Sequence, residues 1–408
     1  MSIGGVSRRS VGAILRAERL RRRLTLAQAG KLLGYSPSAL SRIELGDRRL
    51  DVESLLRLAE CYGIPPSRLG VANLSARDGV DGSGDDVQRR QFLAAAAGAT
   101  IPGWLLTRLD DALVTLPDAA GPVTVQTVEA RKAASQALFD AASYTALVAG
   151  LPDLLAAAQE LADGTDEPAA QSCAAGCYEI ATHALNKIGR HRASRLTADR
   201  AMTHARRSDS PLAVASSSRA LSVVLRHEGR APVAQRVNLA AIRALEATGL
   251  LTTAERTVLA RTLCSAAYAA AQSGDRDRAL ELIADAHRSV RGLPGHTAAQ
   301  VQLYQVGVHW AVGDSARALD SGRGLHPAQF ATPERRGRLH TDLARAWWQH
   351  ERPERTALSL VAAHREAPTE LTDRPAIRRI AFDLIDRHPR VTGVRELRVA
   401  LRSAGPAG

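Results

Sequence analysis

Three side chains within five residues have types and spacing that suit the recognition of base edges. Ser38, Ser41 and Arg42 stand at i, i+3 and i+4, so on a helix they share one face. A guanidinium can donate two parallel hydrogen bonds to the O6 and N7 of a guanine, and a hydroxyl can donate to or accept from most bases. Leu40 and Ile43 fall on the opposite side, where a core would take them. Patterns for covalent or metal chemistry are missing from the chain. There is no GxSxG, no GxxxxGK[ST] and no HExxH, and the 12 histidines are scattered without cysteine or carboxylate partners at ligand spacing. His227-Glu228 and His350-Glu351 fall on turns.

The elements that would present those side chains lie in Leu24 to Gly46, LTLAQAGKLLGYSPSALSRIELG. Thr25 opens a first helix with Leu26, Ala29, Leu32 and Leu33 at helical spacing, and Gly34 stands where a left-handed C-cap is required. Ser36 suits an N-cap and Pro37 the first helical position, where its missing N–H costs nothing. A helix, a tight glycine turn and a second helix with a polar, arginine-bearing face form the geometry that enters a DNA major groove.

The surrounding residues carry a resemblance. Leu15-Arg16-Ala17-Glu18-Arg19, Leu24-Thr25, Leu33-Gly34-Tyr35-Ser36, the run Leu40 to Arg49, and Leu55, Leu58, Ala59 and Tyr62-Gly63-Ile64 resemble the helix-turn-helix domain of the xenobiotic-response-element and lambdoid-repressor family over residues 11–70. The resemblance implies a five-helix DNA-binding domain. It puts Ser38, Ala39, Ser41 and Arg42 at base edges, and Tyr35, Ser36, Pro37, Arg48 and Arg49 on the phosphate backbone. It also implies a structural ion pair between Arg19 and Glu44, joining the first and third helices. Two positions depart from the family pattern. Leu26 stands where a phosphate-touching Gln is usual, and Ala29-Gly30 replaces a Leu-Ala pair, which implies closer helix packing.

Charge is distributed as this reading needs. The chain has 408 residues and a net charge of +12, carried almost wholly by arginine. Residues 1–72 hold 13 of the Lys and Arg against six Asp and Glu. Residues 1–10 read as a basic arm and 11–72 as the DNA-binding head. Residues 73–88, rich in Gly, Ser and Asp, read as a flexible acidic linker, and 89–408 as a helical body. The first helix is expected from Val11 to Arg22, with Ile14, Leu15 and Leu20 inward. Cys61, Cys173, Cys177 and Cys264 make no CxxC or zinc pattern, so they read as small apolar residues, and free thiols fit a cytoplasmic protein. Arg89-Arg90 followed by an apolar run imitates a twin-arginine export signal. It lies after a complete domain, and Pro102-Gly103 breaks it, so a helix docking onto the body is expected instead.

The body repeats. Helices ending near residues 189, 229, 274, 313 and 352, spaced by 40, 45, 39 and 39, are each followed by a helix with small residues, such as Ser194 and Ala201, Ala234 and Ala241, or Ala279 and Ala286. A weaker copy turns near Ala142-Ser143-Tyr144. The pattern is similar to the tetratricopeptide repeat, though longer in period. It predicts an all-α fold: a right-handed solenoid of about six helix pairs, capped by residues 376–401. Counting back from the turns puts Glu179, His183, Asn186, Arg219, Arg226, Tyr268, Trp310, Asp342 and Gln349 toward the concave groove as candidate ligand contacts.

By resemblance, this two-part plan occurs in cytoplasmic bacterial regulators, actinobacterial ones included, and in Gram-positive peptide-pheromone receptors. The expectation is a non-enzymatic transcriptional regulator that binds an inverted-repeat operator in double-stranded DNA as a homodimer. Its body would dimerise or sense a peptide, small molecule or protein; no cofactor, metal or membrane partner is expected. The alternative is an interaction scaffold that uses DNA as its anchor.

Overall fold

The computed structural model describes residues 8–22, 24–33, 35–45, 58, 62 and 101–403. The chain divides into two compact units, residues 1–91 and 92–408. Every regular element among the described residues is helical. Gly34, the 46–49 loop with Arg48 and Arg49, the helix expected from Asp51, the 73–88 linker and the Arg89-Arg90 stretch lie outside the described residues.

In the first unit, α1 spans Arg8–Arg21, α2 Leu26–Leu33 and α3 Pro37–Glu44. Helix α1 begins three residues earlier than the sequence suggests, so Arg8, Arg9 and Ser10 form its first turn rather than part of an arm. Leu15 is buried, but Leu20 is 56% exposed. Five residues on from Leu15, Leu20 has rotated away from the core, and Arg19 occupies the inward position instead. Helix α2 opens with a reciprocal cap: the Gln28 backbone donates to Thr25 Oγ1 (3.2 Å), and the Thr25 backbone donates to Gln28 Oε1 (2.9 Å). At the turn, the Tyr35 amide donates to the Gly30 carbonyl at 2.8 Å. A Cβ on residue 30 would collide with the Tyr35 carbonyl oxygen. The departure at Ala29-Gly30 therefore tightens the α2–α3 turn. Gly30→Ala is expected to cost about 1–3 kcal/mol despite its better helix propensity, and thermal melting of the variant checks it.

The second unit begins with α4 (Gly103–Val114), whose Leu105, Leu109 and Leu113 enter the body's core together with Ile101. Six helix pairs follow: α5 and α6 (Val125–Asp140, Tyr144–Gly164), α7 and α8 (Pro168–Lys187, His191–Arg207), α9 and α10 (Pro211–His227, Ala231–Glu246), α11 and α12 (Thr253–Ser273, Arg276–Ser289), α13 and α14 (Gly295–Ala311, Ser315–Gly322), and α15 and α16 (Pro333–Gln349, Pro353–Glu366). The short α17 (Pro368–Thr372), then α18 (Pro375–Arg387) and α19 (Val394–Ser403), close the array. Gly189, Gly229, Gly274 and Gly313 all take positive φ at the turns. The fifth turn uses Glu351 (φ 56°), one residue before the expected Arg352, and the weak first copy uses Ala142 (φ 56°). After Gly274 and Gly313, the Asp275 and Asp314 carboxylates cap α12 and α14 by accepting from the Arg278 and Arg317 amides. The Gly-Asp dipeptide thus ends one helix and starts the next. Ser194, Ala201, Ala234, Ala241, Ala279, Ala286, Ala318 and Ala357 are all buried, which lets paired helices approach closely with few aromatics to fill the space. Cys173, Cys177 and Cys264 are buried and unbridged.

The array also closes on itself, which the sequence did not suggest. Helix α5 touches α15, so the first and last pairs meet. A buried ion cluster joins them. Lys187 Nζ lies 2.6 Å from both Glu334 Oε1 and Glu370 Oε1. Tyr144 donates to Glu370 Oε1 at 2.6 Å, Arg374 Nη1 donates to Glu370 Oε2 at 2.5 Å, and Thr369 Oγ1 donates to the Ala142 carbonyl at 2.6 Å. Burial alone would raise the Glu334 and Glu370 carboxyls. Lys187 outweighs it, with Arg335 at the first and Arg374 at the second, and both stay below the usual carboxylate range.

Candidate functional sites in the head and the body

In the head, α3 is fixed from below. Ser36 caps it, accepting from the Ala39 amide at 3.2 Å, with Pro37 in the first turn. Leu40, Ile43 and Glu44 are buried, whereas Ser38, Ser41 and Arg42 are half-buried. The sequence puts Ala39 among the base readers. It is 5% exposed, following Leu40 and Ile43 to the core side. Ser36 and Ser38 hydroxyls lie 3.2 Å apart, and Arg42 Nε donates to the Ser38 carbonyl at 3.4 Å, which lays the guanidinium back along its own helix. Tyr35 is half-buried and Pro37 exposed at the helix entrance.

Below that face, Arg19 grips Glu44 with two hydrogen bonds, Nε to Oε1 at 2.6 Å and Nη2 to Oε2 at 2.8 Å. A third, from Nη1 to the Leu24 carbonyl at 3.0 Å, fixes the α1–α2 junction. The hydrogen bond to Glu44 raises the Arg19 pKa against the opposing effect of burial. Arg22 donates to the Tyr62 carbonyl at 2.6 Å and lies 5.5 Å from that ring's centroid, so it braces the head.

In the body, the inner helices α7, α9, α11, α13 and α15 bring most of the candidate groove residues into one electrostatic neighbourhood. Arg219 Nη2 donates to His183 Nε2 at 2.9 Å. Burial and then Arg219 hold the His183 pKa well below 6.5, so the ring is neutral and accepts. Ser217 donates to Glu179 Oε1 at 2.5 Å, and burial raises the Glu179 carboxyl to about 7. The Arg226 guanidinium covers the Tyr268 ring at 4.5 Å, and Arg345 covers Trp310 at 3.7 Å. Asp342 is engaged by Arg338 at 3.3 Å and Arg345 at 3.5 Å. Asn186 is 9% exposed, and neither its Oδ1 nor its Nδ2 has a hydrogen-bond partner. Gln349 is exposed.

Sequence reasoning missed Tyr304, Arg261, Arg335, Arg338 and Arg345. Helical spacing held a signal for them: Arg338 and Arg345 flank Asp342 at i−4 and i+3, and Arg261 precedes Tyr268 by seven. Burial raises the Tyr304 phenol, but Arg338, Arg219 and Arg335 overcome it and bring the phenol down to about 7. Arg261 is exposed at its surface, but crowding by the surrounding helices, with Arg219 and Arg335, lowers it to about 10. No group of His, Cys, Asp and Glu suited to a metal ion occurs among the described residues. No described helix is long and apolar enough to cross a membrane.

Residues 10–70 match the family described as helix-turn-helix domain. No match was found among curated proteins. Among solved structures, the chain is similar to PlcR of Bacillus thuringiensis, determined in complex with the peptide PapR7 and DNA. The two share 12% identity at a TM-score of 0.33, over 87% of this chain and 99% of that one, and at that score the likeness carries no argument. The chain thus carries a helix-turn-helix domain at residues 10–70, followed by an all-helical repeat body.

Proposed function

We propose that the chain is a sequence-specific, non-catalytic transcriptional regulator of the cytoplasm. In this reading α3 lies in the major groove, with Ser38, Ser41 and Arg42 at base edges. Tyr35, Ser36, Pro37, Arg48 and Arg49 hold phosphates. The observation that carries the reading is the division of α3 into a buried apolar side, clamped through Glu44, and a polar side bearing Arg42. The repeat body dimerises two heads on an inverted repeat and responds to an effector, a peptide, small molecule or protein. Support for a ligand comes from the inner helices, which gather arginines, aromatics and an unpartnered Asn186. An effector that prefers one arrangement of the body would shift the equilibrium of the heads on DNA.

The test is selection from a random duplex pool by the full-length protein. Enrichment of an inverted repeat is expected; enrichment of no sequence at any salt concentration refutes the reading. On that operator, Arg42→Ala is expected to cost about 1–3 kcal/mol and to relax one base position. Arg48→Ala should weaken all duplexes alike and lower the salt slope by about one. Unchanged operator affinity for the first variant would remove Arg42 from base readout.

A further inference from the structure

The interior of the repeat body carries cations that no carboxylate contacts, although Glu179 lies within electrostatic reach of Arg219 and Asp140 within reach of Arg261. Glu334 serves Lys187 and Arg335, Glu370 serves Lys187 and Arg374, and Asp342 serves Arg338 and Arg345. Among the described residues, no carboxylate lies within ion-pair distance of Arg219, Arg226 or Arg261. Arg219 contacts a neutral imidazole, and Arg226 covers an aromatic ring with its Nε unsatisfied. These three side chains come from neighbouring helices, Arg219 and Arg226 two turns apart on α9 and Arg261 on α11. Each is near enough to the α13 phenol of Tyr304 for their charges to interact. Arg261 remains solvent-exposed, so water and solutes reach the group. One turn beyond His183 on α7 stands Asn186, with a buried amide whose donor and acceptor are both unused. Cations that lack a contacting carboxylate in a partly desolvated site destabilise the empty protein, and an anion bound among them recovers part of that cost.

We propose that this interior face binds an oxyanion, a carboxylate or phosphate group of the ligand, among Arg219, Arg226 and Arg261 beside Tyr304. The inference rests on the effector reading above and names the ligand's chemistry. Guanidinium groups fit both oxyanions through paired hydrogen bonds. A carboxylate would come from a peptide's terminus or acidic side chain, a phosphate from a phosphorylated small molecule.

The experiment melts the full-length protein with tripolyphosphate or with penta-glutamate, at ionic strength matched with sodium chloride. At least one probe is expected to raise the melting temperature saturably, and which one does so identifies the oxyanion. The Arg219→Gln/Arg261→Gln variant should melt above wild type without a probe, because repulsion is relieved, and should bind the probe about tenfold more weakly. Arg48→Ala/Arg49→Ala should retain the response, which separates the body from the head's proposed phosphate contacts. If the double variant fails to fold, the exposed Arg261→Gln alone serves. An independent readout is phenolate absorbance, which is expected to titrate near neutral pH and to disappear in Tyr304→Phe. A bound anion cancels arginine charge and should move that titration upward. No response to either probe, an equal response in the variant, or a phenolate titration unmoved by a probe that raises the melting temperature would overturn the proposal. A probe that binds here without altering operator selection would leave the anion site standing and count against the effector reading instead.

Discussion

Lys187→Met is expected to destabilise the repeat body by about 3–5 kcal/mol, because it removes the cation that two buried carboxylates share. Glu334 would keep Arg335, and Glu370 would keep Arg374 and Tyr144, but both are almost fully shielded from water. The effect has a pH signature. In the wild type both carboxyls are held below their unfolded values by Lys187 and the neighbouring arginines, despite burial. Their contribution is therefore fully present above the unfolded carboxylate pKa, about 4.3, and is lost as pH falls through the lower folded values. Without Lys187, burial dominates, and at least one carboxyl rises above its unfolded value. The variant then gains stability, relative to wild type, as pH falls from 7 toward 5. Melting wild type, Lys187→Met and Lys187→Met/Glu370→Gln at both pH values checks this. The double variant should recover part of the loss at pH 7, since it no longer buries the unpaired charge. A penalty that does not change with pH would mean that Lys187 acts through packing alone.

That cluster also marks where reading the sequence stopped. Local signals were strong enough to place the helices. Ser36-Pro37 announces α3, Gly-Asp announces the end of one helix and the cap of the next, and small residues announce the packed faces. Such signals act over a few residues. The closure of the array joins Tyr144 to Glu370 across 226 positions and Lys187 to Glu370 across 183, and no periodicity encodes a contact at that range. Lys187 stands two residues before the turn glycine Gly189, and Glu334 in the first turn of α15, where local patterns alone put a charge on the surface. The same gap explains the groove. Counting back from each turn glycine found Arg219, Arg226 and Tyr268, which sit on single helices, but not the convergence of several arginines on Tyr304, which depends on how neighbouring pairs are rotated. In the head, the division of α3 into buried and half-buried side chains was legible except at Ala39. Alanine is small enough to sit on either side of an amphipathic boundary, so its type did not decide its burial.

Arg19→Ala should unfold the head while leaving the repeat body intact. The expected cost is about 3–5 kcal/mol, the cost of orphaning Glu44 at 7% exposure in a pair that is otherwise bidentate. A head this small has only about that much stability to lose. One further contact disappears with the guanidinium, the hydrogen bond to Leu24, and the lost pair is itself the link between α1 and α3 beneath the polar face. Arg19→Lys should rescue little, because an ammonium cannot reproduce the paired geometry. Arg19→Met/Glu44→Leu should rescue much, because it leaves no charge buried. Calorimetry on the full-length protein distinguishes these outcomes. The smaller transition is expected to vanish in Arg19→Ala and to return in the double variant, while the larger one stays within a degree or so of wild type throughout, since substitutions in separate compact units add independently. Operator binding should follow the smaller transition. If Arg19→Ala melted like wild type and still selected the operator, the pair would be a surface convenience, and the orientation of α3 would have to come from its apolar contacts alone.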